Sequence, residues 1–83
     1  MSEPTDAARV VVYGKPGCHL CDDAYAIVER VCTEIGASWT SVDIQDNADL
    51  MARYGEQIPV TFVDGRQHDF WRVDPDRLRA ALA

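Results

Sequence analysis

Hydrophobic positions change period several times along the chain, and each change marks an element. Arg9-Val10-Val11-Val12-Tyr13 is a continuous β-branched and aromatic run, closed by Gly14. Such a run suits a strand buried on both faces. Gly14-Lys15-Pro16-Gly17 has loop chemistry. From Cys18 onward, Cys21, Ala24, Ile27, Val28, Val31 and Ile35 recur at spacings of three and four. That spacing is one face of a helix. Asp22 and Asp23 near its start complement the helix dipole, and Gly36 suits its end. Residues 38–44 alternate, with Trp39, Val42 and Ile44 as the larger apolar members, and predict a second strand. Asp46 is the expected cap of a second helix through Ala48, Leu50, Met51 and Tyr54, ending at Gly55. Val60-Thr61-Phe62-Val63 predicts a third strand, Asp64-Gly65 a type I′ hairpin, and residues 66–71 the returning strand. Asp74-Pro75 opens a last helix with Leu78, Ala81 and Leu82 as its apolar stripe.

The predicted order is β-α-β-α-β-β-α. The first βαβ unit should be right-handed with parallel strands. The hairpin then adds two antiparallel strands, and the helices cover the faces. Residues 1–8 show no periodicity and are expected to form a flexible tail, leaving residues 9–83 as one domain. Eighty-three residues leave room for a single core. A hydrophobic share of 47% argues against wholesale disorder. No apolar run approaches the ~20 residues that span a bilayer. Residues 1–6 lack the basic and apolar regions of a secretory signal, so a cytoplasmic location is expected. A net charge of −6 repels phosphate, so neither nucleic acid nor an anionic membrane is an expected partner. A monomer is the expected state.

The candidate chemistry lies in the cysteines. There are three, an odd count, and two of them form the C-x-x-C pair Cys18 and Cys21. Outside a disulfide-rich secreted scaffold, that spacing means redox chemistry or metal. Placement favours redox. Cys18 falls where a loop leaves a buried strand and a helix begins. There its sulfur faces unpaired N–H groups and the positive end of the dipole, both of which favour thiolate. Cys21, nearly one turn on, returns to the same side and should be buried and protonated. The thiolate is the species that attacks a disulfide.

Two other readings stay open. One is a metal module, or an iron–sulfur cluster bridged between two subunits. The chain has no second paired set of ligands, however, and no metal ligand is assigned. The other is a non-catalytic adaptor. Cys32 lies eleven residues after Cys21, about three turns along the same helix, and is expected to fill core. Phe70 and Trp71 are neighbours on a strand and should face opposite ways, one of them into the core. His68 is expected at the strand's surface.

Tyr13-Gly14-Lys15-Pro16-Gly17-Cys18-His19-Leu20-Cys21 resembles the active-site segment of glutaredoxins and thioredoxins. Gln57-Ile58-Pro59-Val60-Thr61-Phe62-Val63-Asp64-Gly65 resembles the segment that holds their cis-proline. The resemblance covers roughly residues 9–82 and is closest to small glutaredoxin-like proteins. It implies an α/β thioredoxin fold of the glutaredoxin type, a four-stranded mixed sheet with three helices. It implies a dithiol–disulfide oxidoreductase with catalytic Cys18 and Cys21 and no cofactor. Its partners would be a disulfide-bearing protein or a low-molecular-weight thiol. Its electron donor would be a flavin-dependent reductase or a small thiol. Pro59 would be cis and opposite Cys18, and the Ile58 backbone would pair with a bound substrate as a strand edge does. Lys15, the chain's one lysine, would hold a substrate carboxylate, such as that of glutathione. His19 would add positive charge beside the thiolate when protonated. Glutaredoxins carry Pro-Tyr between their cysteines and a Gly-Gly pair after the last strand. This chain has His19-Leu20 and His68-Asp69-Phe70-Trp71 there, and bulky side chains obstruct the close backbone approach that glycine permits.

Overall fold

The computed structural model describes residues 8–83. The tail expected over residues 1–8 therefore lies outside the described residues except for Ala8, which is half-buried against the core. The elements are β1 (Val10–Gly14), α1 (His19–Ile35), β2 (Trp39–Asp43), α2 (Ala48–Tyr54), β3 (Val60–Val63), β4 (Arg66–Phe70) and α3 (Pro75–Leu82). They form one sheet in the order β2-β1-β3-β4. β2 runs parallel to β1, while β3 is antiparallel to both β1 and β4.

β1 is buried along its whole length, as its unbroken apolar run predicts. Side chains alternate across a sheet, so β1 feeds two apolar clusters. Val10 and Val12 join Ala24, Val28, Val31 and Cys32 of α1 with Leu78 and Leu82 of α3. Val11 and Tyr13 join Ile44, Ile58, Val60 and Phe62, covered by Leu50, Met51 and Tyr54 of α2. Tyr13, Tyr54 and Phe62 meet ring to ring at 4.8–5.8 Å, in or near the edge-to-face arrangement that aromatic quadrupoles favour. Arg79 binds both carboxylate oxygens of Glu34, at 2.6 and 3.1 Å, and ties α3 to α1.

The turns follow their residues. Asp64 and Gly65 both have positive φ (51° and 85°), as a type I′ hairpin requires. Gly36 ends α1 in the left-handed conformation, its N–H on the Cys32 carbonyl. Asp74 caps α3 and accepts from the N–H groups of Asp76 and Arg77, with Pro75 following.

Three expectations are corrected. The cap of α2 is Asn47, not Asp46: its Oδ1 accepts from Leu50 N–H at 3.0 Å. Asp43 and the Ile44 carbonyl hold Gln45 and Asn47 in a turn, which delays the helix by one residue. His68 is half-buried rather than on the surface, with its Nε2 buried and unpartnered among the described residues. The register opposes Thr61 to Asp69 but Phe62 to Gln67, so His68 is the extra residue of a bulge. Neither Phe70 nor Trp71 enters the core; they are 46% and 52% exposed. β4 ends at Phe70, and Trp71 leaves it with φ 64°, which breaks the alternation.

A candidate redox site at the start of the first helix

The loop after β1 delivers Cys18 to the N-cap of α1, in extended backbone (φ −100°, ψ 111°). Its Sγ accepts from the Cys21 N–H at 3.2 Å, and its carbonyl accepts from the Asp22 N–H at 3.0 Å. A sulfur thus stands where Ser or Asp usually satisfies the first turn. Cys18 is partly exposed, while Cys21, one turn later, is fully buried. Burial pushes the Cys21 thiol up to about 12. The hydrogen bond it makes to Cys18 adds to the rise, and one with the Lys15 backbone opposes it. The geometry separates an accessible sulfur from a proton-holding one at the same helix end.

The other predicted site residues divide. Ile58 packs in the same apolar cluster as Cys21, and Cys18 rests against that cluster. The Ile58–Pro59 peptide is cis, and Pro59 is buried. The backbone N–H and C=O of Ile58 have no hydrogen-bond partner among the described residues. Lys15 and His19 are exposed, with no side-chain partner among the described residues. Among the described residues, no three His, Cys, Asp or Glu side chains come together as metal ligands, and no helix is long and apolar enough to cross a membrane.

Three residues at the site escape the sequence reading. Tyr25 lies one turn beyond Cys21, a spacing that places both on one side of α1. Gly14 is glycine because of close approach and not because of its φ. A Cβ there would collide with the Tyr25 hydroxyl and stand 3.0 Å from Cys21 Sγ. Trp71 is the third. Left-handed backbone costs a bulky residue on the order of 1 kcal/mol or more. Here it is held by bonds from Trp71 N–H to the Gln57 and Pro59 carbonyls and from Nε1–H to the Glu56 carbonyl. The indole is thereby fastened to the cis-proline loop. With Leu20, Ala24 and Ile27 of α1 it lines a groove of about 350 Å³.

A mixed four-stranded sheet with a C-x-x-C at the first helix N-cap and a cis-proline before the third strand is a thioredoxin fold. A mutant thioredoxin from Halobacterium salinarum superposes with a TM-score of 0.59 at 26% identity, over 92% of this chain and 74% of that one. The family model described as "Glutaredoxin-like domain (DUF836)" matches residues 9–83, and the chain belongs to that family. The X-ray structure of XcR50 from X. campestris is 36% identical, with a TM-score of 0.74 over 88% of this chain and 93% of that one. The Mycobacterium tuberculosis protein Rv0508 is 32% identical over 88 residues, covering all of this chain and 87% of the relative.

Proposed function

We propose that the protein is a dithiol–disulfide oxidoreductase. The observation that carries this reading is the pairing of two unlike sulfurs. Cys18 Sγ is accessible and receives a helix N–H, while Cys21 is buried, protonated and one turn behind it. Cys18 as thiolate attacks a target disulfide and forms a mixed disulfide, releasing one target sulfur. Cys21 then loses its proton and attacks Cys18 Sγ. The second target sulfur leaves as thiolate, and a Cys18–Cys21 disulfide remains. An external small thiol or flavin-dependent reductase restores the dithiol.

The unpaired Ile58 backbone suits a substrate that adds as a short strand beside the cysteines, a docking mode sheet edges use elsewhere. Lys15 and His19 are free to meet a substrate carboxylate, in a chain otherwise rich in negative charge. The substrate is a disulfide of a protein or of a small thiol.

The test is a titration of the purified protein in defined thiol buffers, with free thiols alkylated and counted by mass. One reversible two-electron midpoint, linking Cys18 to Cys21, is the expected outcome. Failure to form that disulfide anywhere in the accessible range of potential would end the proposal.

A further inference from the structure

The resolving step asks a buried thiol to lose its proton, and this inference rests on the exchange proposed above. In the mixed disulfide, Cys18 is bonded to the target and is no longer a thiolate that can hold the Cys21 proton. Something else must stabilise charge on Cys21.

The groups around it are few. From β1 come Tyr13, which shares its apolar cluster and whose ring is engaged with Tyr54 and Phe62, and Gly14, which has no side chain. From the loop comes only the Lys15 backbone, since its side chain is exposed. From β2, Asp43 is exposed and its Oδ1 is taken by the Gln45 N–H. On α1 itself, His19, Asp22 and Asp23 are exposed. Neighbouring carboxylates would in any case oppose a thiolate. The protic side chain whose hydroxyl stands with Cys21 Sγ at Gly14 is that of Tyr25. Its hydroxyl and Cys21 Sγ converge on the same point above the Gly14 Cα, the place a Cβ would fill. The Tyr25 ring is half-buried and packs with its centroid 6.1 Å from that of Trp39.

We propose that Tyr25 is a positioning residue for the resolving step: its hydroxyl donates to Cys21 Sγ as negative charge builds there, in a niche kept open by Gly14. The Cys21 proton goes to solvent. The Cys21–Cys18 bond forms as the Cys18–target bond breaks, and the target thiolate takes a proton from water. Tyr25 is suited to donate and not to ionise. Burial, followed by the two nearby thiols, pushes its own hydroxyl up to about 12, so it keeps its proton.

The experiment uses the aromatic disulfide 5,5′-dithiobis(2-nitrobenzoate), whose released thiolate is coloured. The first release reports attack by Cys18, and the second reports resolution by Cys21. In Tyr25→Phe the first release should be unchanged. The second should slow about tenfold, the scale of one lost hydrogen bond to a charged group. The pH midpoint of the second release should also rise by about one unit. Gly14→Ala, which fills the niche, should slow the second release in the same direction. If both variants resolve at the original rate, or slow without any shift in pH midpoint, Tyr25 is only packing and the inference falls. If the unaltered protein gives neither release, the exchange reading itself fails, and the two failures are thereby distinguished.

Discussion

Cys21 and Cys32 sit on the same helix, eleven residues apart, and both are closed to solvent, at 0% and 1% exposure. Burial is the leading cause that pushes each thiol above its ordinary value. Their surroundings differ. Cys32 lies among Val10, Val28, Val31 and Leu82, and its carbonyl receives the N–H groups that close the helix. Cys21 has a partly exposed sulfur hydrogen-bonded to its own N–H, a loop backbone at its side and a tyrosine hydroxyl over a glycine. One end of α1 is sealed by aliphatic packing, and the other is left polar and open at its first turn. Burial makes a thiol inert. A second sulfur in reach and an open helix end are what give such a thiol a reaction to take part in.

Substitutions at the two cysteines of the open helix end break this comparison most severely. Cys18→Ser should abolish disulfide reduction, measured as turnover of a peptide disulfide. Cys21→Ser should keep the first attack and accumulate a stable mixed disulfide, visible as a mass increase. Turnover by Cys18→Ser at the original rate would contradict the division of labour.

A smaller effect concerns alkaline stability. The folded Cys21 thiol lies at about 12 against an ordinary 9.0, so the folded state holds this proton more tightly than the unfolded one. The stability it contributes is full below about pH 9 and is lost as pH rises toward about 12. Cys32 and Tyr25 act in the same direction. Urea unfolding across that window should show the reduced protein weakening more steeply than the oxidised one, whose Cys21 has no proton to lose. Parallel curves would mean that Cys21 is not held as a buried thiol.

The smallest functional effect belongs to the sealed end. Cys32→Ser should leave turnover within about twofold. It should cost about 1–2 kcal/mol of stability, because it places a hydroxyl among aliphatic side chains. Loss of turnover without loss of stability would show that its sulfur takes part in the chemistry.

Most of the architecture is legible along the chain because local rules and tertiary demands agree there. The β-branched run of β1, the three-and-four spacing of α1, Asp64-Gly65 and Asp74-Pro75 each specify a local geometry that packing then keeps. Legibility fails where packing changes the period. Strict alternation along β4 predicts an inward Phe70 or Trp71, but the bulge at His68 and the positive φ of Trp71 cancel it. A bulge is set by two strands together, so one strand's residues do not announce it.

By itself, the sequence determined the order of elements, the cap position of Cys18 and the burial of Cys21. Each follows from periodicity and from the chemistry of neighbouring residues. Tertiary structure alone decided three things: that the Tyr25 hydroxyl and Cys21 Sγ both approach Gly14, that the Ile58 backbone stays unpaired among the described residues, and that Trp71 leaves the sheet to line a groove along α1. These depend on how β1, α1 and the cis-proline loop approach one another. Contacts between segments distant in the chain are fixed by packing of the whole core, and local pattern does not encode their separation.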